Sequence, residues 1–240
     1  MYEACCFDYG NTLIEFDLPQ IAFIQERFLP ELSRRFGPLM PGALAQAMDR
    51  LYEMPRLGES PTYLELDPLL QMAILLDDLY GKDSRSREAL AAADRALQEI
   101  FQGAVAMDPR DRETLRRIAV KVPTVLVSNY PSGDAIRRSL EKVGIAGLFQ
   151  AVVVSGDVGF VKPHPSMFRA ALDAVRRPPA KTLFVGDRWD ADICGAREAG
   201  LAACHMVGFT SEKGFEEKYR LCRPDHIVRS LEEVAALLGV

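Results

Sequence analysis

The chain has no excess of positive charge, no long apolar run and no paired cysteine spacing, and each absence removes a class of function. Lysine and arginine number 29 against 34 aspartates and glutamates, for a net charge of −5. Nucleic-acid binding rests on clustered positive charge, so no nucleic-acid partner is expected. An anionic ligand must then be held by a local positive site or a metal ion, not by the global field. No apolar run approaches the roughly 20 residues that span a bilayer. No basic segment precedes the first apolar stretch. Neither a membrane partner nor a signal peptide is therefore expected. The cysteines, Cys5, Cys6, Cys194, Cys204 and Cys222, are odd in number and show no paired spacing. They read as reduced, inert thiols of a cytoplasmic protein. His164, His205 and His226 are scattered, with no Cys/His metal cluster and no Ser-His-Asp signature. There is no internal repeat and no low-complexity tract.

What remains is a 240-residue chain that is 48% hydrophobic, enough for one large domain or a core with an appendage. Its middle and its ends differ in pattern. From about 17 to 104 the apolar residues recur only at helical spacing: Ile21, Phe23, Ile24, Phe28 and Leu32, then Ala43 to Tyr52, then Tyr63 to Leu79, then Arg87 to Phe101. Gly37-Pro38, Pro41-Gly42, Pro55, Gly58, Pro61 and Gly81 punctuate these segments. From Pro109 onward helices and strands alternate. Strands are expected at Thr124–Ser128, Ala151–Val154, Thr182–Gly186, Leu201–Val207 and Asp225–Val228, and the last helix at Leu231–Leu238. Regular alternation implies a parallel sheet with right-handed crossovers. The expected fold is α/β: a doubly wound, Rossmann-like core over 1–16 and 105–240, with an inserted all-helical subdomain over 17–104.

The chemistry lies at the strand ends. Cys5-Cys6-Phe7 is an apolar run that stops at Asp8, and Gly10 and Asn11 behind it tolerate unusual backbone dihedrals. Ligands of open parallel sheets bind just past the carboxyl ends of the strands. A carboxylate there is costly to desolvate unless it is paired or binds a metal; on this stretch alone, a simple turn cap fits equally well. Three later stretches add to it. Val125-Leu126-Val127 ends in Ser128-Asn129, Lys162-Pro163 lies beyond the strand at 151–154, and Thr182 to Gly186 ends in Asp187, with Asp192 five residues on. The order is acid, hydroxyl, amine, acid pair.

As an ordered set, these motifs resemble those of the haloacid dehalogenase superfamily, from Cys5 to about Leu201. The resemblance implies a hydrolase, most often a phosphatase, with a helical cap formed by the insert. Asp8 would be the nucleophile that takes up the phosphoryl group, and Lys162 would stabilise transition-state charge. Thr12, Ser128 and Asn129 would hold the substrate phosphate or fix the loop behind Asp8. A Mg²⁺ ion would bind Asp8, the carbonyl of Gly10, Asp187 and Asp192, relieving the repulsion of converging carboxylates. Asp190 would lie outside that shell, and Trp189 would pack. The implied partner is a small phosphorylated metabolite.

One position departs from the family's pattern. Its phosphatases usually carry a second Asp two residues after the nucleophile as general acid and base; here that position is Gly10. Either the leaving group needs little protonation, or Tyr9, Tyr130, His164 or a residue of the cap substitutes. The alternatives to a phosphatase are a metal-independent haloacid dehalogenase and a non-catalytic phosphate- or nucleotide-binding relative.

Overall fold

The structure, a computed structural model, describes residues 1–40, 42, 43, 62–83, 85–209 and 215–240 of the chain. Its centre is a six-stranded parallel sheet: β1 (Ala4–Phe7), β2 (Thr124–Ser128), β3 (Ala151–Val154), β4 (Thr182–Gly186), β5 (Ala202–Met206) and β6 (His226–Val228). The spatial order is β3-β2-β1-β4-β5-β6, with every pair parallel. β1 is central, with β2 on one side and β4 on the other. The strand order reverses around it, and that switch point is where open α/β sheets bind ligands.

A parallel sheet buried on both faces needs apolar side chains in both directions. The two adjacent cysteines of β1 divide accordingly. Cys5 and Phe7 join one core cluster, which takes in α4 (Pro109–Lys121), α5 (Gly133–Lys142) and α10 (Leu231–Leu238). Ala4 and Cys6 join the other, against α7 (Pro165–Val175) and the segment from Ile193 to Leu201. Burial pushes the thiols of Cys6 and Cys204 up to about 12, which keeps them protonated and unreactive.

The helices between β1 and β2 are α1 (Leu18–Phe36), α2 (Pro68–Tyr80) and α3 (Arg87–Ala104). They carry a hydrophobic cluster of their own: Phe28, Leu32, Met72, Leu75, Leu76, Leu79, Ala93 and Ala96. Among the described residues, no strand of the sheet falls between 17 and 104. The helix expected from Ala43 to Tyr52, Ala43 apart, lies outside the described residues, as do Pro55, Gly58 and Pro61. The helix expected from Tyr63 starts instead at Pro68. Asp67 caps it, and the residue before a proline is driven out of the helical region. Tyr63 to Glu65 runs alongside the core: Val161 N–H donates to the Tyr63 carbonyl at 2.8 Å and Glu65 N–H to the Gly159 carbonyl at 3.0 Å. Leu64 and Phe160 form an isolated antiparallel bridge.

Between β4 and β5 the chain forms a π-helical turn, Trp189–Cys194, and then a short helix α8, Gly195–Glu198. Single π turns of this kind recur at functional sites. The remaining helices are α6 (Ser155–Val158), which leads out of β3, and α9 (Phe215–Leu221) between β5 and β6. No helix is long and apolar enough to cross a membrane among the described residues.

Candidate active site

Asp8 comes directly after β1, and its N–H donates to the Val185 carbonyl of β4 at 2.8 Å. The chain then turns back. Asn11 takes a left-handed conformation, φ 52°, and its side chain accepts from Phe16 N–H at 2.8 Å. The backbone freedom expected of Gly10 is not used. Its φ lies outside the left-handed region, and a Cβ added there would meet only Phe16 Cβ, at an ordinary 3.8 Å. The turn uses Asn11 for its special dihedral, and Gly10 is open to a side chain.

Lys162 reaches Asp8 from 154 residues away. Its ammonium lies 2.6 Å from Asp8 Oδ1 and 2.8 Å from Asp192 Oδ1, and it donates to the Val127 carbonyl at 2.8 Å. The group is almost sealed: Asp8 is 8% exposed, Lys162 2% and Asp192 1%. Thr12, wholly buried, donates to Asp8 Oδ2 at 3.2 Å, so it steadies the nucleophile candidate from behind. Ser128 ends β2 beside β1. The Asn129 side chain brackets the Lys162 backbone, donating to its carbonyl at 3.1 Å and accepting from its N–H at 2.7 Å. Neither Ser128 nor Asn129 caps the next helix, α5; Ser132 does. Asn129 therefore fixes the loop that presents the ammonium.

Gly186 makes room for the second acid. A Cβ there would lie 2.4 Å from the Asp192 carboxyl carbon, so only glycine lets Asp192 fold back against the end of β4. Arg188 N–H holds Asp192 Oδ2 at 3.0 Å, while Oδ1 faces the Lys162 ammonium. Asp190 turns away and pairs with Arg188 at 2.8 Å. Trp189 packs and donates its indole N–H to the Cys222 carbonyl at 2.8 Å.

Asp8, Asp187 and Asp192 each offer an oxygen, all within 4.8 Å of one another. Burial, then repulsion from Asp8 and Asp192, pushes the Asp187 carboxyl well above the usual range. Burial likewise raises Asp8, against the pull of Lys162. Burial alone would lower the Lys162 ammonium, but attraction from Asp192 and Asp8 outweighs it and raises it. With all three carboxylates ionised, one ammonium would leave two negative charges unbalanced. A hard divalent cation matches that charge and the all-oxygen donor set. The residues fit such an ion.

Tyr9, Tyr130 and His164, three candidates for a substitute acid, make contacts away from Asp8. Tyr9 is buried and donates to Ser139 Oγ at 2.7 Å, and burial raises its hydroxyl to about 12. Tyr130 stacks on Phe101 with ring centres 4.9 Å apart, and burial raises its hydroxyl further. His164 stacks on Phe160 at 3.9 Å and caps α7, accepting from Ser166 N–H at 3.2 Å.

A family model described as a haloacid dehalogenase-like hydrolase matches residues 2–200. The chain is 32% identical to a phosphoserine phosphatase of Thermus thermophilus, over 95% of both chains. It is 25% identical to the 5-amino-6-(5-phospho-D-ribitylamino)uracil phosphatase YigB of Escherichia coli, over 84% of this chain and 82% of that one. Among solved structures, the putative hydrolase YfnB from Bacillus subtilis bound to magnesium superposes with a TM-score of 0.72 at 20% identity, covering 100% of this chain and 99% of that chain. A 2-haloacid dehalogenase from Pseudomonas syringae gives 0.73 at 23% identity, with the same coverage.

Proposed function

The chain belongs to the haloacid dehalogenase-like hydrolases, and on that premise we propose that it is a Mg²⁺-dependent phosphatase of small phosphorylated metabolites. The observation that carries this reading is the second acid pair. A dehalogenase needs one carboxylate nucleophile and no metal. Here Asp187 and Asp192 converge on Asp8, an arrangement that repels itself unless a cation is bound.

In this reading Asp8 attacks phosphorus and the leaving oxygen departs with the bonding electrons, giving an aspartyl phosphate. Water then cleaves the new P–O bond and returns Asp8 to its carboxylate. Lys162, already fixed 2.6 Å from Asp8, stabilises the charge on the transferring group. Asn129 sets the Lys162 backbone, and Ser128 and the N–H groups beyond β2 receive phosphate oxygens. Asp8, the Gly10 carbonyl, Asp187 and Asp192 would hold Mg²⁺, which supplies the charge neutralisation that lets an anionic nucleophile approach an anionic phosphate. Gly10 stands where the usual acid would be, so the leaving group departs without a side-chain proton donor. Residues 17–104 act as a cap over the strand ends and exclude water from the reaction. Free thiols suit a reducing compartment such as the cytoplasm.

The test is a phosphatase screen with Mg²⁺ and with chelator, on wild type and Asp8→Asn. Turnover that needs Mg²⁺ and vanishes in Asp8→Asn is expected. Metal-independent release of halide from a haloacid would overturn the reading. Gly10 favours one other reading, a binding relative without turnover; phosphate binding with no hydrolysis of any substrate would support that instead.

A further inference from the structure

Asp187 differs from its two neighbours in how it is held. Asp8 is gripped by Lys162 and Thr12, and Asp192 by Lys162 and Arg188 N–H. Among the described residues, no hydrogen bond reaches the Asp187 carboxylate. Its backbone is what is pinned. The Asp187 carbonyl lies 2.7 Å from Nε2 of His205, and Nδ1 of the same ring lies 2.6 Å from the Tyr219 hydroxyl.

His205 sits on β5 directly opposite Gly186, the residue before Asp187, and is 0% exposed. A carbonyl only accepts, so Nε2 must carry the hydrogen. In the neutral ring Nδ1 then accepts, and the Tyr219 hydroxyl donates to it. The ring is further fixed edge-on to Phe215 at 4.7 Å, which itself stacks on Tyr219 at 5.7 Å. Trp189, two residues past Asp187, bonds to the Cys222 carbonyl just beyond α9. The loop carrying Asp187 is thus tied to α9 through His205 and to the residue that follows α9 through Trp189.

We infer that His205, held in one tautomer by Tyr219, is a positioning residue for Asp187, and that α9 thereby sets the affinity of the carboxylate cluster for a divalent cation. The inference rests on the Mg²⁺ reading above. Removing a partner that orients a metal ligand typically lowers metal affinity 10–100-fold. Glutamine places a side-chain N–H near where histidine places Nε2–H, so it can keep the bond to the carbonyl; leucine cannot.

The experiment is calorimetric titration with Mg²⁺ alone, alongside the Mg²⁺ activation constant, kcat at saturating Mg²⁺ and the melting temperature. His205→Leu should weaken Mg²⁺ binding about 10–100-fold, with kcat at saturating Mg²⁺ within about threefold. His205→Gln should stay within about threefold of wild type in affinity. Tyr219→Phe, which keeps the aromatic packing and should fold even if His205→Leu does not, should weaken binding about 3–10-fold at an unchanged melting temperature. Unchanged Mg²⁺ affinity in Tyr219→Phe overturns the inference, as does a His205→Gln protein as weak as His205→Leu. Wild type that binds no Mg²⁺ overturns the metal reading itself and this inference with it.

Discussion

Gly10→Asp is the substitution on which the catalytic reading is most exposed. A new Cβ at residue 10 meets Phe16 Cβ at 3.8 Å and nothing else within 4 Å, and the backbone φ is one that L residues adopt freely. The steric cost is therefore close to zero. Replacing glycine in such a conformation adds up to about 1 kcal/mol of stability through the unfolded chain. The opposing effect is electrostatic, since a fourth carboxylate joins three that already repel, so the comparison belongs at saturating Mg²⁺. General acid catalysis is worth about 10²–10⁴-fold, or roughly 3–5 kcal/mol of barrier. An activated leaving group such as p-nitrophenolate departs as its anion and gains little from a proton donor. A sugar alkoxide cannot leave so. Wild type should hydrolyse p-nitrophenyl phosphate far faster than sugar phosphates. Gly10→Asp should raise sugar-phosphate turnover by up to about 10²–10⁴-fold and leave p-nitrophenyl phosphate nearly unchanged. Steady-state kinetics on both substrate classes, for both proteins, measures this. Equal wild-type rates on the two classes would refute the reasoning, because some other group would already be supplying the proton.

Lys162→Ala should cut turnover by several orders of magnitude, and it should destabilise the protein by about 3–5 kcal/mol in denaturant titrations because buried carboxylates lose their cation. Gly186→Ala forces a Cβ into the Asp192 carboxyl group; a loss of about 1–3 kcal/mol and weaker Mg²⁺ binding are expected from melting curves and calorimetry. Burial raises the Glu65 carboxyl, against its bond from Ser155 Oγ at 2.5 Å. A raised carboxyl contributes stability that is present below its unfolded-state value and lost as pH rises through the folded one. Glu65→Gln should therefore gain stability relative to wild type as pH rises above the unfolded-state value of about 4.3, measured by urea unfolding; a constant difference between the two proteins would refute that.

Legibility in the sequence depended on how local each feature is. The strands and their terminal residues are readable because an apolar run ending in an acid, or in Ser128-Asn129, is a local signal. The opposite faces of Cys5 and Cys6 come from strand geometry alone. Tyr63 to Asp67 looks helical in sequence because Leu64 and Leu66 continue an apolar pattern, whereas Pro68 and the pairing with Gly159 and Val161 decide the backbone. Gly10 looks like the pivot of its turn because Gly-Asn is a permissive pair, and only the coordinates show that Asn11 takes the left-handed position. The Asn129 bracket on Lys162 and the His205 bond to the Asp187 carbonyl are not legible. They depend on neighbours across strands and loops, 33 and 18 residues apart, with no motif linking them.

The central place of β1 has a consequence for synthesis of the chain. Of the six strands described, Ala4–Phe7 is made first, yet its partners are Thr124–Ser128 and Thr182–Gly186. At about 5–20 residues per second, roughly 10–40 s pass between translation of β1 and of β4. Through that interval a short, fully apolar strand has no sheet to join. The helices made next, α1, α2 and α3, are able to gather around a hydrophobic cluster of their own. A ribosome that stalls before β4 leaves β1 with one edge open, a template for pairing with another nascent chain. The strand that leads into the nucleophile candidate is thus also the one most exposed to misassembly, and the sheet closes on both of its edges only once β4 has been made.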